Sequence, residues 1–274
     1  MNRFYTGLRL ILPIALTLIV TGCASTTQSG TVGVERKQFL LVSSQQAEQG
    51  AATFYAKEKD KYARAGALNA NPQQTARVRA IATSLIEQAG VFRPDTRNWR
   101  WEVNVISSKE INAYCTAGGK MAIYTGLLDG LKLNDDEVAA VMGHEIAHAL
   151  REHSREAMSE AVAQQVGLGV LAAALKLDQN TANMLGNATH VALTLPFSRE
   201  KEREADRIGL ELMARAGYHP RDAVSVWRKM MSGSGGRPPE LLSTHPDPEN
   251  RIKDIEAHLP SVMPLYEAAK RRVR

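Results

Sequence analysis

Apolar and polar positions divide this chain into segments of different period. A short basic start with Arg3 and Arg9 leads into the apolar run 10–20, which ends in Val20-Thr21-Gly22-Cys23. That run has the length of a secretory-leader core and is too short to cross a bilayer comfortably. Residues 24–37, "ASTTQSGTVGVERK", are small and polar and read as a flexible tether. Helical spacing follows in "FLLVSSQQAEQGAATFYAKEKDKYARAG" and again in "NPQQTARVRAIATSLIEQAG". In the second stretch Asn71 is the cap, Pro72 sits in the first turn and Gly90 ends the helix. Aromatic and β-branched residues in "WRWEVNVI", 99–106, predict a strand. "NAYCTAGGKMAIYTGLLDGL", 112–131, predicts a hairpin around Gly118-Gly119 and then a short helix.

Asn134 opens the next helix, with Glu137 in capping-box position. An Ala/Val/Leu/Gly-rich stretch at 161–177, interrupted by glutamines, predicts a core helix or helical hairpin. "SREKEREADRIGLELMARAGYHP" predicts a helix from Ser198 to about Ala216, closed by Gly217 and Pro220. The remainder gives "RDAVSVWRKMM", a Gly/Ser/Pro loop at 232–239, "STHPDPENRI" and one or two last helices. The fold class is α+β, mostly helical with a small sheet that exposes an edge. No period of 20–50 residues recurs, which excludes a repeat array.

Composition narrows the partners. The 274 residues are 44% hydrophobic and 23% charged, enough for a real core. The net charge of +5 includes Arg3 and Arg9, and no basic stripe interleaves with aromatics, so nucleic-acid binding is not expected. Only two cysteines occur, Cys23 and Cys115. Small residues before Cys23 resemble the bacterial lipoprotein signal. The resemblance implies a signal peptide over 1–22, lipid on Cys23 and a lipidated tether over 23–37. Ala24, with no aspartate after Cys23, favours the outer membrane by the same resemblance. Cys115 is then left without a disulfide partner.

The chemistry lies in "EVAAVMGHEIAHAL". His144 and His148 share one helix face and can hold one metal ion. Glu145 points about a quarter-turn away, within reach of a water on that ion. The flanking residues leave no polar face, so this helix should be buried on all sides. Three buried ionisable groups there are costly unless paired or metal-bound. A hydrogen-bonded core histidine pair is the other reading. A hydrolytic zinc site uses three protein ligands and an open position. On the helix opened by Ser198, the buried face is Ala205, Ile208, Gly209, Leu212 and Met213. Glu202 and Asp206 lie beside it, whereas Glu200 and Glu204 fall on the side expected to be solvated. Glu202 is therefore the third ligand candidate, and Asp206 is placed to accept a hydrogen bond from a ligand histidine, His144 foremost.

"HEIAH", then "SREKEREADRIG", then "STHPDPENRI", with "NAYCTAGGKMAIYTGLL" before them, resemble the zinc metallopeptidases of the HtpX and CAAX-prenyl-protease type. The resemblance covers roughly 75–258 and implies a gluzincin-like zinc metallopeptidase domain, here 38–274, with one Zn2+ per chain. It matches His144, Glu145, His148, Glu202 and Asp206 to the family's H-E-x-x-H and E-x-x-x-D pattern. It also implies that the loop carrying His245 reaches the active site. There His245 could stabilise an oxyanion with Arg251 assisting, could occupy the open zinc position and hold the enzyme latent, or could be inert. The multiple membrane helices of the integral members are not found, and Cys115-Thr116-Ala117 replaces a more apolar stretch. The expected function is a periplasm-facing, lipid-anchored endopeptidase for misfolded or stalled envelope proteins, taking extended polypeptide on the strand near 112–117 or its neighbour at 120–125. A binding or chaperone lipoprotein with little turnover is the alternative.

Overall fold

Two crossed helices carry most of the ionisable residues singled out above, and the rest of the fold packs around that crossing. The structure is a computed structural model that describes residues 23–174, 196–232 and 240–272. The leader expected at 1–22, the apolar stretch beyond Ala174 and most of the Gly/Ser/Pro loop lie outside the described residues.

Helix α1 (Ser44–Arg64) starts at Ser43, whose side chain and that of Gln46 close a capping box. Helix α2 (Pro72–Ala89) starts where the Asn71 side chain accepts from the backbone N–H groups of Gln73 and Gln74. After α3 (Thr125–Leu128), helix α4 (Asp135–Leu150) opens on the Asn134–Glu137 capping box and is buried from Glu137 through Leu150. Helix α5 (His153–Ala174) follows at once. Helix α6 (Arg199–Arg215) is capped by Ser198, which accepts from the Lys201 N–H. Helices α7 (Asp222–Ser232), α8 (Glu240–Thr244) and α9 (Pro248–Arg272) complete the described chain. Helix α4 packs chiefly against α6, and α9 packs against α6 as well. Among the described residues, no helix is long and apolar enough to cross a membrane.

Strands β3 (Glu102–Ile106), β4 (Ala113–Thr116) and β5 (Lys120–Tyr124) form a sheet in the order β3-β5-β4. Strand β3 runs parallel to β5 and β4 antiparallel to it. Gly118 and Gly119 turn the hairpin at φ 78°, in the left-handed region that suits glycine. Strand β5 is central, so 120–125 is not the exposed edge; β4 is an edge of this sheet.

The stretch 23–37 corrects the expectation of a flexible tether. It is a strap held onto the domain. Strand β1 (Cys23–Ala24) pairs antiparallel with β2 (Gln38–Phe39). Between them, Thr31 and Val32 donate their N–H groups to Glu211 Oε2 at 2.7 and 3.1 Å. Val32 and Val34 are buried in the main core, and Arg36 forks between Glu156 and Glu204. The stretch looks like linker because only two of its side chains are apolar anchors. Buried backbone hydrogen bonds and one arginine do the rest.

Candidate active site

The crossing of α4 and α6 brings His144, His148 and Glu202 together, and the loop between α8 and α9 adds His245. One ligand atom from each of the four lies within 4.8 Å of the others, and all four residues are buried. His144 Nε2 and His148 Nε2 are 3.0 Å apart. Glu202 reaches His144 Nε2 at 3.5 Å and His148 Nε2 at 3.4 Å. His245 Nδ1 stands 3.0 Å from Glu202 Oε1 and 3.2 Å from His144 Nε2. Zinc bonds of about 2.0–2.1 Å in a tetrahedron place donor atoms about 3.3 Å apart, so this donor set fits the ion.

Glu145 stands beside these donors without joining them. Its Oε1 is buried and, among the described residues, without a hydrogen-bond partner, 3.6 Å from His245 Nε2. Burial raises its pKa against the opposing charges around it. An orphaned carboxylate oxygen aimed at a donor cluster is what a reacting water would use.

Behind the donors, Asp206 Oδ1 lies 3.0 Å from His144 Nδ1, the contact expected of it. Arg251 is buried and accounts for its charge with carboxylates: Nη1 is 2.7 Å from Glu202 Oε2, and Nη2 is 2.7 Å from Asp206 Oδ1. Its guanidinium stacks 3.8 Å over the Trp227 ring. Asp206 stays below its usual pKa because Arg251 and His144 outweigh burial.

Glu204 is corrected. It does not lie on a solvated face but is buried at 7% exposure. Its carboxylate accepts from Arg36 Nε at 2.7 Å and Arg151 Nε at 3.0 Å, and it lies 3.0 Å from His153 Nε2. These cations and His153 overcome burial and hold Glu204 at about 2. Glu200 is exposed as expected. Sequence reasoning also missed His153, Trp227 and Phe197, whose ring stacks 4.3 Å from that of His148. The repeated histidine in "HEIAHALREH" was the available signal for His153.

A cleft beside Glu145 and His148 is lined by Phe54, Tyr114, Cys115 and Phe197 and runs along β4. Cys115 is a free, buried thiol whose pKa burial pushes up.

The sequence profile of peptidase family M48 matches residues 72–259. Among known proteins, the mitochondrial metalloendopeptidase OMA1 of Arabidopsis thaliana is 39% identical over 153 residues, which cover 56% of this chain and 30% of that protein. OMA1 of Schizosaccharomyces pombe is 37% identical over 172 residues, covering 62% of this chain and 50% of that protein. The β-barrel assembly-enhancing protease of Escherichia coli is 32% identical over 172 residues, covering 59% of this chain and 35% of that protein. The chain thus spans half or less of the length of these three relatives.

Proposed function

The chain belongs to peptidase family M48, and from that premise we propose that it is a zinc-dependent endopeptidase acting on unfolded polypeptide. The observation that carries this reading is Glu145 Oε1, buried and unpartnered among the described residues, beside four converging donor atoms. A bound zinc would be held by His144, His148 and Glu202. It would supply acidification of a water and polarisation of the peptide carbonyl.

The chain's own residues do the rest. Glu145 Oε1 accepts the proton of the attacking water and returns it to the leaving amine. Asp206 accepts from His144 Nδ1 and keeps its Nε2 lone pair turned inward. Arg251 pins Glu202 and Asp206 in register, which makes it a positioning residue more than an oxyanion donor. The outer edge of β4, which pairs with no other strand among the described residues, lets an extended substrate add as a strand, which reads backbone and favours loose sequence preference. The neighbouring aromatic residues, Phe54, Tyr114 and Phe197, suit an apolar side chain near the scissile bond.

His245 Nδ1 lies among the donors, which favours a latent state over the oxyanion role. In that state the loop residue competes with water and substrate for the fourth position. Opening the loop frees the site.

Misfolded or stalled cell-envelope proteins are the proposed substrates, met at a membrane to which lipid on Cys23 anchors the domain. The leader-like residues 1–23 support this, as does similarity to a protease named for β-barrel assembly. Other relatives are mitochondrial by name, so the compartment rests on the leader.

Chelator treatment followed by metal restoration tests the reading. Casein hydrolysis should vanish when the metal is removed and return with one equivalent of Zn2+ per chain. Hydrolysis that survives complete metal removal would contradict it.

A further inference from the structure

The two histidines that helix α4 gives to the donor set, His144 and His148, are held from behind in different ways. His144 Nδ1 meets the Asp206 carboxylate directly at 3.0 Å. His148 Nδ1 instead meets another imidazole, His153 Nδ1, at 2.9 Å, and His153 Nε2 meets Glu204 Oε2 at 3.0 Å. We propose that His153 and Glu204 are positioning residues that fix the tautomer and orientation of His148, with Arg36 of the N-terminal strap locking the far end of the relay. The inference rests on the reading of His144, His148 and Glu202 as a zinc site.

Hydrogen-bond chemistry sets the direction of this relay. Glu204 faces two arginines, Arg36 and Arg151, and as a carboxylate it can only accept. The proton between it and His153 therefore sits on His153 Nε2. In the neutral ring, His153 Nδ1 then offers a lone pair. Across 2.9 Å, His148 Nδ1 must carry the proton. That leaves the His148 Nε2 lone pair for the metal. The other tautomer of His148 would set two lone pairs against each other and point an N–H into the donor cluster.

Local structure makes the relay possible. Helix α4 ends at Leu150, and Glu152 takes a left-handed φ of 49°. This break turns His153, at the start of α5, back toward His148. The ring of His153 is fully buried, and Phe197 covers the ring of His148. Glu204 is held in turn by Arg36 Nε at 2.7 Å, so a strap residue lies three contacts from the donor His148. Losing an outer partner of a ligand histidine typically weakens metal binding about ten- to a hundredfold.

The test is zinc affinity of the full chain, stripped of metal and titrated against a chromophoric chelator. His153→Phe keeps a ring but no hydrogen bonds and should weaken binding about ten- to a hundredfold. His153→Gln, which can accept from His148 and donate to Glu204, should restore most of that loss. Arg36→Ala should weaken binding in the same direction by less. Wild-type affinity in His153→Phe, or His153→Gln as weak as His153→Phe, would overturn the relay. A measurement on the wild type covers any failure of His153→Phe to fold. Imidazole 15N–1H correlation of the zinc-loaded protein should show His153 protonated at Nε2 and bare at Nδ1. A proton on His153 Nδ1 would overturn the proposal while leaving the zinc reading intact. A wild type that takes up no zinc would overturn both.

Discussion

Gly143 and Gly209 touch backbone to backbone where α4 crosses α6. A Cβ on Gly209 would stand 2.8 Å from His144 N and 2.9 Å from Gly143 C, against main-chain atoms that cannot rotate away. The crossing distance, and with it the reach of Glu202 to both histidines, depends on this pair. Gly209→Ala should cost about 1–3 kcal/mol of stability, as overpacking does. It should also weaken zinc binding. Calorimetric unfolding and zinc titration of the same variant check this; unchanged values for both would mean that the helices can part freely.

Glu202 and Asp206 separate two kinds of loss. Glu202→Ala should strip zinc and activity together. Asp206→Ala should leave the donors in place and weaken zinc binding about ten- to a hundredfold. Glu200→Ala, on the exposed side of the same helix, should change neither. Metal content after gel filtration distinguishes the three. Zinc retained at full occupancy in Glu202→Ala would remove Glu202 from the ligand set.

For His245→Ala, the contact of Nδ1 with Glu202 at 3.0 Å leads to an expected rise in basal casein hydrolysis at saturating zinc. A fall of about a hundred- to a thousandfold would instead assign His245 to the oxyanion. No change would return it to an inert loop residue.

The start of α4 carries a pH dependence. Glu137 is buried, yet Lys229, Ser225 and the Asn134 N–H together outweigh burial and lower its pKa. Lys229 Nζ lies 2.6 Å from its Oε2. A carboxyl with a native pKa below its unfolded value stabilises the fold above the unfolded value and loses that contribution as pH falls through the native one. The melting-temperature gap between wild type and Glu137→Gln should therefore be constant from pH 7 to 5.5 and close below about pH 4.5. A gap that widens on acidification would contradict the assigned direction.

The parts of this fold that were legible in the sequence are those written in local chemistry. Asn71, Asn134 and Ser198 announce helix starts through side chains that cap the next turn. Gly118-Gly119 announces the hairpin through positive φ. The grouping of His144, His148 and Glu202 was legible because ionisable groups stand out on or beside apolar faces. Glu204 was misread because a helical wheel knows only its own helix. Its burial comes from Arg36 and Arg151, which belong to the strap and to the end of α4. His153 was hidden by the left-handed residue Glu152, since continuous helical spacing would send it elsewhere. The parallel pairing of β3 with β5 depends on a crossover that no short window encodes.

Glu145 decides the central claim. Its Oε1 stands buried near the grouped histidines and, among the described residues, unpaired. Glu145→Gln keeps the shape of the side chain and removes the base. The direct measurement is zinc content and casein hydrolysis of purified Glu145→Gln beside wild type. One zinc per chain should remain, and cleavage should fall at least about a hundredfold. Cleavage at the wild-type rate with zinc bound would contradict the mechanism.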